Sequence, residues 1–586
     1  MLSICRTLAA ALALAIALPA TAATSWVERS NQLAQPLLKV MGDFNPEFAG
    51  QFGLTGYDDR IVDLGPKVDE RSRAAMLAVK ASLEKALAEE KDAAVRQDLA
   101  IMIDAVQQRL ESQALNDRLV LAYFDVGQMV FMGEFGLLQD QIEAKRRPAA
   151  LKRLERYTGL AKGSTPLTEL AKARWNEKTG NAALLGPFKG EVEQSLANLP
   201  RYIAGIRQLY AKYKIKGADK ALDALEAQLK DYEAWVRANV LPRARTDFRL
   251  PAELYAQNLK EVGLDIDPDT LIRKAELAYA EIRNELQALA PLVAKAHGLD
   301  ATDYRDVIRA LKKEQIARDH VEPTYHEVIG KLEDIIRRER IVALPQRPML
   351  MRLASDAETA AQPAPHMDPP TLIGNKGERG TFVLPLGNPA AKGDGSETYD
   401  DFNHAGMTWT LTAHEGRPGH ELQFSAMVER GVSVARSLFA FNSVNVEGWA
   451  LYAEAEAKPY EPLDGQLFAL QQRLTRAARA ILDPELNLGR ITPERATEVL
   501  TQEVVLSPAM ARQEVDRYTF RAPGQATSYF YGYTRLMELR TEVELLLGRK
   551  FDRQAFNDFV VNQGLLPPDL LRKAVLEEFV PAQQKK

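Results

Sequence analysis

Along most of the chain, apolar side chains return every three or four positions, the spacing that places them on one face of an α-helix. The pattern runs through residues 70–112, which are rich in Ala, Leu, Glu, Lys and Arg, and again through 116–145, 189–213, 217–240 and 268–297. Asp267, Pro268 and Asp269 open the last of these stretches. Asp267 offers a capping oxygen, and Pro268 loses nothing in a first turn, where its missing N–H has no partner anyway. No fixed repeat emerges, so a solenoid is not expected. Between Val342 and Glu397 the pattern changes to frequent Pro and Gly with little helical periodicity. Within it, Met349–Leu353, PAPHMDPP at 363–370 and GTFVLPL at 380–386 predict two or three short strands joined by loops. Helical character returns near Asp400 and persists almost to the C-terminus. The predicted fold class is mainly α: a large two-lobed helical fold with a central cleft and a small β-sheet at about residues 345–390. The expected divisions are an N-terminal helical lobe over 23–341, a small β and loop unit over 342–397, and a C-terminal helical lobe over 398–586.

Length and charge add to this picture. A chain of 586 residues exceeds what one compact core usually holds, in keeping with two lobes. The net charge of −5 and the lack of a long basic tract argue against a nucleic-acid partner. At the start, Arg6 precedes an apolar run from Leu8 to Leu18, followed by Pro19 and the small residues Ala20, Thr21 and Ala22. This is the form of a secretory signal over residues 1–22, cleaved near Ala22, and the run is too short to span a bilayer. No later run is long enough for a membrane helix, so the expected location is periplasmic or secreted. Cys5, the only cysteine, lies inside the leader. The mature chain would then have no disulfide, no cysteine nucleophile and no thiolate metal site. Nothing in the pattern fixes an oligomeric state.

The candidate chemistry begins with TAHEGRPGHELQ, residues 412–423. Two of the seven histidines, His414 and His420, bracket Glu415, two Gly and a Pro. Neutral imidazoles suit zinc, and a Glu beside the first His suits a general base acting on water at a metal. The spacing resists a straight helix. Residues four apart lie about 40° apart around the axis, whereas residues six apart lie about 120° apart. Pro418 cannot donate to the His414 carbonyl, and Gly416 and Gly419 admit unusual backbone angles. The helix is therefore expected to break between Glu415 and His420, so that both rings converge. Catalytic zinc usually takes a third protein ligand. In VNVEGWALYAEAEA, residues 444–457, Glu447 interrupts an apolar helix, where a carboxylate is costly unless paired or bound to metal. Glu454, two turns on along nearly the same face, is either the ligand itself or a partner to it, and Glu456 is expected to face solvent. In RAPGQATSYFYGYTRLMELR, residues 521–540, Gln525, Tyr529 and Tyr533 share one helix face. Tyr529 or Tyr533 would stabilise an oxyanion, and Arg521 or Arg535 would bind a substrate carboxylate, with Gln525 alongside.

HEGRPGH, EGWALYAE and PGQATSY in this order, with FGLTGYDDRIVDL at 52–64, resemble the bacterial domain-of-unknown-function family 885 over nearly the whole mature chain. That family in turn resembles helical zinc peptidases that carry H-E-x-x-H and a downstream Glu. The resemblance implies His414, His420 and Glu447 as ligands of one zinc ion and Glu415 as the base; the two-residue insertion between the histidines is the departure. The expected function is hydrolysis of peptide bonds, in short peptides, by a secreted zinc metallopeptidase, with GTFVLPL pairing an extended peptide as an edge strand. Two alternatives stand beside it: a zinc amidohydrolase acting on non-peptide amides, and a non-catalytic periplasmic binding protein.

Overall fold

The structure is a computed structural model that describes residues 25–387 and 399–586. The expected leader, with Cys5, and the end of the 342–397 segment lie outside the described residues. The architecture is mainly α-helical with one small sheet, as the periodicity predicts. The apolar stretch from residue 70 to 112 is not one helix. It folds back as a hairpin of α1 (Val68–Glu89) and α2 (Ala93–Leu119). Asp92 makes the break by accepting hydrogen bonds from the N–H groups of Ala94 and Val95 at 2.9 and 3.1 Å. Nor is 116–145 continuous. Leu119 and Leu121 form a short backbone bridge with Leu185, and helix resumes only at α3 (Val126–Phe135), capped by Asp125. The expected helices at 189–213, 217–240 and 268–297 appear as α4 (Lys189–Lys212), α5 (Asp219–Asn239) and α6 (Pro268–His297). Asp267 caps α6 through the Thr270 N–H at 2.9 Å, as its sequence predicts.

The sheet contains β1 (Leu350–Leu353), β2 (His366–Asp368) and β3 (Thr381–Leu384), in the order β1-β3-β2. β3 pairs in parallel with β1 and antiparallel with β2, and all four of its residues are buried. GTFVLPL is thus the central strand. Both of its edges are already hydrogen-bonded, so it has none to offer a peptide; this corrects the expected edge addition.

Apolar packing does not part at residue 341. One core gathers Leu121, Val130, Leu154, Tyr202, Leu229 and their neighbours from the N-terminal half, with Ala357 and Ala360. A second joins α6 and α7 (Arg318–Arg338) to residues beyond 400, including Leu271, Leu286, Tyr325, Phe468 and Tyr518. A third holds Leu332, Leu422, Trp449, Leu539 and Phe556. α8 (Ala405–Glu415), α10 (Ser443–Ala457) and α12 (Thr527–Leu547) feed both of these C-terminal cores. Between them in the chain lie α9 (His420–Arg430) and α11 (Leu463–Asn487). α10 and α12 cross backbone to backbone. A Cβ on Gly448 would stand 2.5 Å from the Gly532 carbonyl carbon, and one on Gly532 would stand 1.9 Å from the Val444 oxygen. That contact brings Glu447 beside the start of α12. No helix among the described residues is long and apolar enough to cross a membrane.

Candidate metal centre

The helix breaks where the spacing requires it to. α8 ends at Glu415 and α9 begins at His420. The intervening turn doubles back so tightly that a Cβ on Gly419 would lie 2.0 Å from the His414 carbonyl oxygen, and one on Gly416 2.6 Å from that of Thr412. Only glycine fits at either place. The turn is then pinned by neighbours. Arg417 is buried and donates to Glu421 at 2.6 Å, Glu333 at 2.8 Å and the Arg347 carbonyl at 2.5 Å. The Trp449 indole, two residues past Glu447, donates to the carbonyls of Pro418 and Gly419 at 3.1 and 3.3 Å. The inserted residues thus lock the bend and tie it to the helix that carries Glu447.

The bend brings the imidazoles together. The His414 and His420 rings have centroids 4.7 Å apart and stand at 80° to each other. Their Nε2 atoms lie 3.5 and 3.2 Å from the same oxygen, Glu447 Oε2. One ligand atom from each of the three residues falls within a 4.8 Å span. Zinc bonds of about 2.0–2.1 Å, arranged tetrahedrally, would separate ligand atoms by about 3.3–3.4 Å, which the two carboxylate contacts match. Glu447 Oε2, the oxygen that both Nε2 atoms face, is buried and has no hydrogen-bond partner among the described residues. Buried polar atoms are seldom left this way unless something else binds there. The donor set, two imidazoles and one carboxylate, suits zinc.

Around these atoms the charges are arranged in layers. Glu454 accepts from His414 Nδ1 at 2.6 Å and from the Thr410 hydroxyl at 2.6 Å, and Arg476 stands 3.6 Å away. A carboxylate on Nδ1 fixes the tautomer that leaves Nε2 bare toward the common point. Burial works to raise the Glu454 carboxyl, but the Arg476 charge with the His414 and Thr410 hydrogen bonds holds it below its ordinary value. Glu447 is likewise opposed by burial yet held well below its ordinary value by the two imidazoles. Glu415 behaves in the opposite way. Burial, reinforced by repulsion from Glu447, pushes its carboxyl up to about 8 against the pull of His420.

The other expected site residues divide. Gln525 reaches the centre: its Nε2 lies 3.5 Å from Glu447 Oε1 and donates to Ser443 at 2.9 Å. The Tyr529 ring lies nearly parallel to that of His414, at 6.1 Å. Its hydroxyl accepts from Arg517 at 2.7 Å, and Arg476, Arg479 and Arg517 all lie over its ring. Tyr533 is elsewhere, against Arg473. Arg521 bonds Gln194, and Arg535 is paired with Asp265 and Asp569. None of these three contacts the centre. Glu456, expected in solvent, is buried and paired with Arg540, which corrects that expectation. Thr410, Arg476, Arg517 and Trp449 escaped the sequence reading because their role is to hold other residues. Only Trp449, adjacent to EG in EGWALYAE, carried a visible signal.

The sequence pattern of a bacterial family described as proteins of unknown function, DUF885, matches residues 46–575. No curated protein matches the chain. Two solved structures share its fold. One, described as a candidate lipoprotein of unknown function from Shewanella oneidensis, is 20% identical with a TM-score of 0.68, over 95% of this chain and 100% of that one. The other, described as a candidate lipoprotein from Colwellia psychrerythraea, is 18% identical with a TM-score of 0.75, over 96% of this chain and 100% of that one.

Proposed function

The chain belongs to the bacterial DUF885 family of proteins of unknown function, and we propose that it is an exported zinc-dependent hydrolase that cleaves peptide bonds in short peptides. The observation that carries this reading is the convergence of His414, His420 and Glu447 Oε2, with the Glu454 carboxylate on His414 Nδ1 and the buried Glu415 next to His414 in the chain. When bound there, zinc polarises a carbonyl and lowers the pKa of water to about 7. Glu454 and Thr410 keep His414 in the ligating tautomer, and Gln525 steadies the second oxygen of Glu447. Glu415 takes the proton of the attacking water and passes it to the leaving amine. Burial favours the protonated form of this carboxyl, so that once it has taken the proton it can hold it until the amine leaves. Tyr529, fixed by Arg517, offers its hydroxyl to the developing oxyanion.

His414, Glu415 and His420 are only 2%, 6% and 7% exposed, which favours thin, extended substrates over folded proteins. Export is supported by the leader pattern at residues 1–22 and by the lipoprotein descriptions of the two similar structures. The test is cleavage of a mixed peptide library by the purified protein, before and after verified removal of its metal, and after adding zinc back. The reading requires cleavage that chelation abolishes and zinc restores. Cleavage that survives complete metal removal would rule it out.

A further inference from the structure

A second polar cavity lies where α3 and α4 meet the turn that follows Asp516. Its volume is about 290 Å³, and its wall includes Asp125, Glu191, Gln194, Tyr202 and Arg521. Small-molecule pockets run from about 300 to 1,000 Å³, so this one is sized for a compact ligand. Its charges lack ionic partners. Asp125 accepts the Gln128 N–H at 2.9 Å and a hydrogen bond from Ser195, and neither it nor Glu191 forms an ion pair among the described residues. Arg521 directs Nε and Nη2 to the neutral Gln194 Oε1 at 3.1 and 2.6 Å; Gln194 in turn donates to Asp516 Oδ2 at 3.1 Å, so Arg521 meets an opposite charge only through this bridge. Burial accordingly raises both carboxyls and lowers the guanidinium. Asp125, Glu191 and Arg521 line one cavity together with the Tyr202 ring, so charges of both signs face the same space. All three are half-buried, and a charge in that position is better held when it meets its opposite directly. One molecule carrying an ammonium and a carboxylate would satisfy both sides.

We propose that this cavity binds a small zwitterion, a free amino acid or a dipeptide, with its ammonium group at Asp125 and Glu191 and its carboxylate on Arg521. A guanidinium suits a carboxylate because its planar fork of N–H donors matches the two oxygens. The site is joined to the metal centre by one turn of chain. Four residues before Arg521, Arg517 donates to Tyr529 and to Gln525, which reaches Glu447. The inference does not depend on hydrolysis at that centre.

Titration calorimetry on the purified full chain, metal-free and zinc-loaded, tests it with alanine, alanyl-alanine, and their N-acetyl and C-amide derivatives. Saturable binding of a free zwitterion in both metal states is expected, weakened at least tenfold by either blocking group. The alanine and alanyl-alanine arms tell a free amino acid from a peptide. Arg521→Gln should remove the penalty for amidation, and Glu191→Gln the penalty for acetylation. Absence of saturable binding by either zwitterion, or equal binding of free and blocked forms, overturns the proposal. Binding without any peptide cleavage would instead overturn the hydrolase reading alone.

Discussion

Two buried polar clusters in this molecule look alike at first and differ in what they leave open. In the first, Asp98 is fully buried, and its oxygens accept from Ser30 at 2.6 Å, Ser433 at 2.6 Å and Arg436 at 2.8 Å. Arg436 then spends its other donors on Gln97 and Gln563. The cluster is saturated, and it fastens α2 to the chain near residue 435. In the second, His414 and His420 direct their Nε2 atoms at Glu447 Oε2, which has no hydrogen-bond partner among the described residues. A polar cluster that closes on itself stabilises a fold, whereas one whose lone pairs face a common point is built to receive something.

Substitutions can break or sharpen this contrast. The largest effect is expected at Glu415→Gln, which should lower peptide turnover about 100- to 10,000-fold while zinc content stays unchanged, as rate assays and metal analysis would read. Asp98→Ala should do the reverse. It strands Arg436 and should cost about 3–5 kcal/mol in urea unfolding, with the zinc content of the folded protein intact. Glu454→Gln is intermediate, since Glu454 would support a ligand without being one. Zinc affinity by competition with a chelator should fall about 10- to 100-fold. The smallest effect is expected at Tyr533→Phe, within about twofold of the parent rate, because an isolated site away from the chemistry changes little. A large loss there would mean that the centre extends further along α12 than its contacts do.

Much of the centre was legible because each of its features breaks a local rule. His414 and His420 stand at a spacing that no straight helix can use, and Glu447 is a carboxylate in an apolar run. The Gly and Pro residues between the histidines announce the bend, and Gly416 and Gly419 do make it. What periodicity cannot give is the partner of a face. Tyr529 and Tyr533 share a face of α12, but they are one turn apart, about 6 Å along the axis, and only the first reaches His414. Arg521 and Arg535 come from one stretch of sequence and end in different places, one at a cavity and one in an ion-pair network. The hairpin at Asp92 was hidden because neither Gly nor Pro marks it. The central place of β3 was hidden because a buried strand reads the same wherever it stands in a sheet. Glu456 shows the same limit, since Arg540, which pairs with it, comes from a distant helix.

The central claim is that three side chains from α8, α9 and α10 hold one metal ion. Metal analysis of the protein as purified and after dialysis against zinc, beside His414→Ala, Glu447→Ala and Asp98→Ala, tests it most directly. The account predicts about one zinc per chain in the parent and in folded Asp98→Ala, and close to none in the two ligand variants. A parent that takes up no metal, or a folded His414→Ala that retains the parent's full content, would contradict it.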